Sequence, residues 1–493
     1  MNLLILLVII PLFGAILNVV IGKSSKKARQ VVSTASTLIL IILAAKVLQT
    51  TLKGNIITYE IGNWKPPIGI NLVADSLSAL MVGLISCIGF LCVIYSISYM
   101  RRYKGVQTYD SLLMFIIAGM IGTVLTGDLF NMFVFLEITF ISAYPLVGFF
   151  GGAREMEASF KYMVLSTIAS LMFLLGIGLI YNFTGTLNMA HIAEVTGAGE
   201  GLLDFALILL MIGLGLVSAI VPLHAWLPDA HPAAPTPISA LLSGVTVKVG
   251  LYGMLRIVYT MFGFQRVPIG SILLVLGLAT IIIGAGFALV QTDIKRMLAY
   301  STISQVGYIA LALGIGTQSG VEGAVFHILN HALMKSLLFL TVGCVIYKIG
   351  TRDMSKMGGL LKQMPLEAAA FLVGGLAIAG VPPLNGFFSK LLIYLACLEA
   401  GYLVPLAIAI SVSLLTLAYY LRAFWMIFLG KNSLNLKNER VPLSMLIPVL
   451  VLAFACLVIG IVPEIGLSMT ENIAEQMLMR WVYIEKVLGG AIV

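Results

Sequence analysis

Fourteen apolar runs, each close to the roughly 20 residues that cross a bilayer core about 30 Å thick as helix, leave this chain few ways to fold. Helix is the form they must take, because in lipid the backbone donors and acceptors have to be satisfied within the segment. On that template the spans fall near 3–21, 31–50, 76–98, 111–127, 129–150, 161–181 and 203–223. The second half gives 238–260, 270–290, 299–316, 322–347, 367–396, 404–429 and 444–463. Only 10% of the 493 residues are charged, against about 25% in a soluble domain, so the whole chain reads as one all-α polytopic membrane unit. The first run lacks a basic leader and a small-residue cleavage site, which predicts a retained helix and not a signal peptide.

The formal charge of +8 would suit nucleic acid if it formed a basic face or stripe. Here it sits in short loops. Alternate loops differ: one set holds Lys23, Lys26, Lys27 and Arg29, then Arg101, Arg102 and Lys104, then Arg154, Lys295 and Arg296. The same set continues with Lys348, Arg352, Lys356, Lys362, Lys431, Lys437 and Arg440. The other set offers Lys53, Lys65 and Arg266. The positive-inside rule then places the basic loops in the cytoplasm and both termini outside, in a cell membrane. The five cysteines, Cys87, Cys92, Cys344, Cys397 and Cys456, lie in apolar runs without C-x-x-C spacing, which predicts small packing residues and neither a cluster nor a structural metal.

Two segments break the helical pattern. Pro222-Leu-His-Ala-Trp-Leu-Pro-Asp-Ala-His231 runs on to Pro237 with prolines at 222, 228, 232, 235 and 237. The second is Gly380-Val-Pro-Pro-Leu-Asn-Gly386, with Pro382 and Pro383, inside the twelfth span. Proline removes a backbone donor, and irregular backbone at membrane depth is tolerated only inside protein or beside a wet cavity. Paired interruptions in two halves of a chain are the pattern of a transport site; ordinary packing kinks are the alternative. The tail from Glu464 onward mixes charges with helically spaced apolar residues, as for a segment lying on the membrane surface or on a neighbouring subunit, or fraying.

A charge near mid-span costs roughly 2.5 to 3.5 kcal/mol on insertion scales, so each needs a reason. Glu137 lies about 12 Å into the fifth span, where its protonation would respond to a neighbouring charge. Lys248 sits mid-span just after the first break, and a lysine held out of water has reason to take and release a proton. His327, His331 and Lys335, at i, i+4 and i+8, share one helix stripe and suit a proton relay, with structural hydrogen bonding or metal binding as alternatives. Lys390 follows the second break, as a carrier or as a cap on a half-helix end. Lys161, at the start of the sixth span, reads equally as anchor or relay member. His224, Asp229 and His231 are placed to gate the broken segment or to satisfy its loose backbone. Asp75 and Asp128 read as helix caps.

At these residues the chain resembles the proton-conducting antiporter family, which includes the D subunit of Mrp-type sodium/proton antiporters, antiporter-like subunits of complex I and their relatives in membrane-bound hydrogenase and sulfane reductase complexes. The matching segments are Val73-Ala-Asp-Ser-Leu-Ser-Ala-Leu, Phe133-Val-Phe-Leu-Glu137, Pro222 to His231, Lys248 in its span, Asp293-Ile-Lys-Arg-Met-Leu-Ala-Tyr-Ser-Thr-Ile-Ser-Gln-Val-Gly307 and Gly380 to Lys390. The resemblance implies fourteen helices with two inverted five-helix repeats, at 111–260 and 261–430, between N-terminal helices in 1–110 and a last helix and tail in 431–493. It implies a hydrated mid-membrane axis through Glu137, Lys248, His327, His331 and Lys390, sister membrane subunits as partners, and protons with or without sodium as the transported ions. The family pattern has a lysine five residues before Pro222, where this chain has Val217. The chain lacks the long lateral helix of the large complex I subunit within its last thirty or so residues, and so looks like the shorter members. Two other functions compete. A redox subunit with its own cofactor finds no dinucleotide fingerprint, Walker lysine loop or cysteine ligand set, so no cofactor and no metal is expected; a non-conducting scaffold is favoured by Val217.

Overall fold

The computed structural model describes residues 3–22, 25–196, 201–264, 268–431 and 440–489; Lys23, Arg266 and Lys437 of the charge comparison lie outside them. The chain opens with α1 (Leu3–Ile21), α2 (Lys26–Thr51), a hairpin of β1 (Ile57–Glu60) and β2 (Asn71–Ala74), and α3 (Ser76–Tyr99). Next come α4 (Val106–Leu125), α5 (Leu129–Val147), α6 (Ala153–Thr184), α7 (Met189–Val195) and α8 (Gly201–Val217), then α9 (Leu227–Ala233), α10 (Thr236–Leu241) and α11 (Val247–Leu255). The second half holds α12 (Ile269–Val290), α13 (Ile294–Ile315), α14 (Gln318–Ile349), α15 (Pro365–Ala379), α16 (Asn385–Glu399), α17 (Leu403–Phe424) and α18 (Leu443–Ile461). The tail forms α19 (Glu464–Leu478) and α20 (Arg480–Leu488).

Twelve helical segments among the described residues are long and apolar enough to cross a bilayer, and α8 and α15 are shorter apolar helices. The protein is an all-α polytopic membrane protein, with one extramembrane hairpin that the apolar pattern did not foretell. Burial sorts the spans. Thr236–Phe262 is buried along its whole length, and α13 and α14 nearly so, whereas α6 and α17 turn most of their apolar surface outward. Lipid is the solvent those outer faces suit. α12 and α13 approach backbone to backbone, since a Cβ on Gly277, Gly284, Gly307 or Gly314 would press into the partner's main chain, the small-residue packing that membrane helices favour.

Local chemistry sets the helix ends. Asp75 caps α3 in a reciprocal capping box with Ser78, and Asp128 caps α5 by accepting from Asn131 N, as the sequence predicts. The same turn recurs in the two halves. Leu129 N reaches Leu187 O and Met189 N reaches Gly127 O, both at 2.9 Å; in the second half Ile294 N reaches Arg352 O at 3.0 Å and Met354 N reaches Thr292 O at 2.9 Å. α6 and α14 are each 32 residues long and each ends on a left-handed glycine, Gly185 or Gly350. Both interruptions also share one design. α8 gives way to Ala219 at φ 56°, with Ile220 N on Gly215 O at 2.9 Å and a cis Val221–Pro222 bond. α15 gives way to Gly380 at φ 85°, with Val381 N on Leu376 O at 3.1 Å and a cis Pro382–Pro383 bond. The twelfth run is therefore two helices and not one bent span.

Within the described residues the tail is helical and not frayed. α19 and α20 pack on the body: Asn472 Nδ2 donates to Leu52 O at 3.4 Å, Gln476 Oε1 accepts from Ser76 N at 3.3 Å, and Arg480 donates to Ala193 O.

Candidate functional site

The largely buried α14 carries a dense polar group in the interior. His327, Asn330, His331 and Lys335 are all shielded from the surface, and the two imidazoles stack with centroids 5.8 Å apart and planes 7° from parallel. His327 pairs through Nδ1 with Ser389 Oγ at 2.9 Å and through Nε2 with Gln305 Oε1 at 3.1 Å. With Gln305 Oε1 toward the ring, Nε2–H donates and the Ser389 hydroxyl donates to Nδ1. Turning the amide over reverses both bonds, and the Ser389 hydroxyl then points to Gly386 O at 3.2 Å. These partners accommodate either tautomer of the ring.

His331 has neither ring nitrogen bonded to protein, and Ser336 Oγ and Gln305 Nε2 are likewise unmatched. Buried polar groups nearly always find a protein or water partner, which sets these atoms apart from the rest of the interior. Lys335 Nζ donates to Leu298 O at 2.9 Å and Tyr420 Oη at 3.2 Å. Lys248, on α11 behind the π-helical turn Leu242–Thr246, donates to Ser243 O. His331 lies within electrostatic range of Lys248, Lys335, His327 and Lys390, and Lys248 within range of Lys335. Among the described residues no carboxylate forms an ion pair with Lys248, Lys335 or Lys390. Bare ammonium groups this close repel, strongly so in a low-dielectric interior. Protonating one disfavours the next.

The second break places Lys390. Its Nζ donates to Ser413 Oγ at 3.0 Å and to Ala379 O, the last residue of α15, at 3.4 Å, and stands 4.6 Å from the Tyr308 ring centre. It therefore both caps the half-helix and faces a polar group, for Ser413 also meets Tyr308 Oη at 2.9 Å and Tyr394 Oη at 2.6 Å. Asn330, between the two histidines, ties this break to α14 by donating to Asn385 O at 3.0 Å, while Asn385 Nδ2 donates to Asn330 Oδ1 at 3.0 Å.

Glu137 is placed differently from the rest. It is half-buried on α5, accepts from Ser170 on α6, and forms no ion pair among the described residues. The crevice beside it is lined by apolar side chains, among them Phe140, Phe173, Leu214 and Val217.

On the face of the basic loops, a polar cavity of about 570 Å³ opens between α6, α9 and the start of α13. Lys161 does not start a helix, since α6 begins at Ala153. It stands at this vestibule, 2.7 Å from Glu157 and 3.2 Å from Asp229. Asp229 also lies 3.5 Å from Arg296, and Arg352 lies 3.3 Å from Asp293. Asp229 thus pairs with cations instead of satisfying loose backbone. That work falls to Trp226, whose Nε1 donates to Leu216 O at 2.8 Å while its ring stacks on Tyr162, and to Arg352, which donates to Pro232 O. His224 is half-buried with Nδ1 unmatched; His231 is fully buried with both ring nitrogens unmatched. Pro228 sits in the first turn of α9.

Sequence reasoning missed three residues. Lys295 was assigned to a cytoplasmic loop, yet it is buried in the first turn of α13 and donates to Ala234 O, Ser239 Oγ and His231 O at 2.7, 3.1 and 3.3 Å. Arg256 is buried and forked onto Asp75, at 2.7 and 2.8 Å. Tyr308 carries no charge and left no mark in the hydropathy pattern. Among the described residues no three His, Cys, Asp or Glu side chains are grouped closely enough to hold a metal ion.

Comparison with known proteins matches residues 126–416 to the family described as NADH:quinone oxidoreductase/Mrp antiporter, TM, and residues 61–109 to the NADH-ubiquinone oxidoreductase (complex I) chain 5 N-terminus. Similar proteins include the N subunit of the NADH-quinone oxidoreductase of Desulforudis audaxviator, 37% identical over 93% of this chain and 96% of that one. The D subunit of the Na(+)/H(+) antiporter of Alkalihalophilus pseudofirmus is 34% identical over 99% of each. Among solved structures, a chain of the Mrp complex from Dietzia sp. superposes with a TM-score of 0.93 at 28% identity, covering 99% of both chains. A chain of the archaeal membrane-bound sulfane sulfur reductase superposes with 0.92 at 37%, covering 98% of this chain and 99% of that one.

Proposed function

The chain belongs to the NADH:quinone oxidoreductase/Mrp antiporter transmembrane family, and from that premise we propose that it is an ion-translocating membrane subunit of a larger complex, moving protons along Lys248, Lys335, His331, His327 and Lys390. The observation that carries this reading is the row of fully buried, carboxylate-free cations and histidines beside unmatched polar atoms. Such residues are costly in a membrane and tend to mark an ion pathway. The chemistry needs no cofactor: a proton on one amine repels a proton on the next, so a charge arriving at one end drives release at the other.

We assign the two repeats to 111–260 and 261–430, supported by the duplicated turns and breaks, with 1–110 and 431–493 flanking them. Both termini lie on the outer side and the basic loops in the cytoplasm, in keeping with the lysine and arginine asymmetry. The partners are sister membrane subunits, as in the multisubunit complexes whose chains superpose on this one, and sodium counter-transport would fit the antiporter relatives.

The test is ion translocation by the intact complex in proteoliposomes. Lys248→Met and Lys390→Met should each lower the rate at least tenfold while assembly and melting temperature stay near wild type. A second reading, a scaffold that does not conduct, rests on Val217 and the apolar crevice beside Glu137. Wild-type translocation by both lysine variants would establish it and end the first.

A further inference from the structure

The axis needs a way in from one side of the membrane, and Glu137, the carboxylate that the resemblance places on it, faces Ser170 and an apolar crevice. A different set of groups lies next to the 570 Å³ vestibule. Asp293 and Arg296 line the vestibule, and Lys295 between them turns inward from the same helical turn, almost fully buried. Its ammonium lies 3.3 Å from His231 O and 2.7 Å from Ala234 O, on the segment whose other face, Pro232 and Ala233, is vestibule wall. One thin layer of chain thus separates Lys295 from the cavity.

Behind Lys295 stands the His231 ring, fully buried, with both nitrogens unpartnered. It packs 5.0 Å from the ring of Phe339, one turn beyond Lys335 on α14. It also lies within electrostatic range of Lys295, Lys335 and Lys248. An imidazole with two free nitrogens accepts a proton at one and passes it on from the other, and among the described residues no hydrogen bond holds this ring.

We propose that Lys295 and His231 form the proton inlet of the axis, carrying protons from the charged vestibule to Lys335 and Lys248 without passing Glu137. A proton from vestibule water protonates the Lys295 amine. Lys295 gives one up through water to a His231 nitrogen, and the opposite nitrogen releases one toward Lys335 or Lys248. Only N–H and O–H bonds are made and broken; each lysine regains its starting state once the next group has accepted, while His231 is left as its other tautomer and resets when the ring turns over, a motion that no hydrogen bond to either ring nitrogen opposes among the described residues. The vestibule ion pairs, Lys161 and Arg296 with Asp229 and Arg352 with Asp293, hold the broken segment in place over this passage.

This inference rests on the translocation reading above, and the experiment separates the two. Lys295→Arg, His231→Gln, Glu137→Gln and Lys248→Met are compared in the reconstituted complex, with melting temperature and assembly measured alongside. Arginine retains the charge and the donors to Ala234 O and His231 O but does not release its proton. An inlet role therefore predicts at least a tenfold loss for Lys295→Arg at unchanged melting temperature, a similar loss for His231→Gln, and a smaller loss for Glu137→Gln. A lysine that merely braces the broken segment predicts a wild-type rate for Lys295→Arg. That result, or a larger loss in Glu137→Gln than in Lys295→Arg, overturns the inlet while Lys248→Met still blocks transport. Should Lys295→Arg fail to assemble, His231→Gln, which disturbs no hydrogen bond of the ring, decides alone. If Lys248→Met also transports normally, it is the translocation reading that fails.

Discussion

At the residue scale, one buried ion pair stands apart from the axis. Arg256 grips Asp75 with both terminal guanidinium nitrogens and lies near the rings of Tyr252 and Tyr483, 5.3 and 4.9 Å from their centres. Burial alone would raise the Asp75 carboxyl; the Arg256 charge and the hydrogen bonds from Arg256 and Ser78 outweigh it and hold it below the usual carboxylate range. Removing one partner from a buried pair typically costs about 3 to 5 kcal/mol, because the other charge is left uncompensated. Arg256→Met should therefore destabilise the protein by that order in detergent unfolding, and Asp75→Asn added to it should recover part of the loss. The sign with pH follows from the depressed carboxyl. Its contribution is complete above the unfolded value of about 3.9 and is lost as pH falls through the lower folded one. Acid unfolding that is the same in wild type and in the double variant would refute the assignment. Neither residue's role is evident from its neighbours in sequence, for they lie 181 positions apart; Asp75 alone reads only as a cap.

Elements are governed by backbone chemistry, and the second break shows it most sharply. A Cβ on Gly386 would collide with Ala377 O, a backbone atom that cannot move aside. Gly386→Ala should cost upward of about 1 kcal/mol, the lower end of overpacking, and disturb Lys390 one turn on. Gly286, in the outward face of α12, meets nothing within 4 Å. There alanine should be neutral or stabilise by up to about 1 kcal/mol, since it has the higher helix propensity. Paired melting curves test both; equal effects would mean that the close approach at the break is not what the glycine is for. The breaks themselves were legible because proline and glycine act locally. The pairing of the second break with α14 through Asn330 and Asn385 was not, because it depends on which helix lies alongside.

Over the whole molecule, the tail closes the bundle. α19 and α20 bury Ile473, Met477, Tyr483 and Val487 against the body and lay Tyr483 over Arg256. A chain stopped after Val462 should melt several degrees lower in detergent and lose the acid resistance that Asp75 and Arg256 confer; an unchanged melting curve would mean that the tail is an ornament of the fold. The same long-range packing explains what was misjudged. Lys295 reads as part of a cytoplasmic loop and is instead buried in the first turn of α13, because a charged helical turn reads as a loop until a neighbouring segment covers it.

Hydropathy by itself determined that this chain lives in a bilayer, where its helices run, and where two of them must break, since each depends on a residue's own solvent preference and its nearest backbone. The tertiary structure alone decided which buried charges meet. Lys248, the α14 histidines and Lys390 come together, Glu137 is left with a serine, and Lys295 is turned inward, because those outcomes depend on helices far apart in sequence packing side by side.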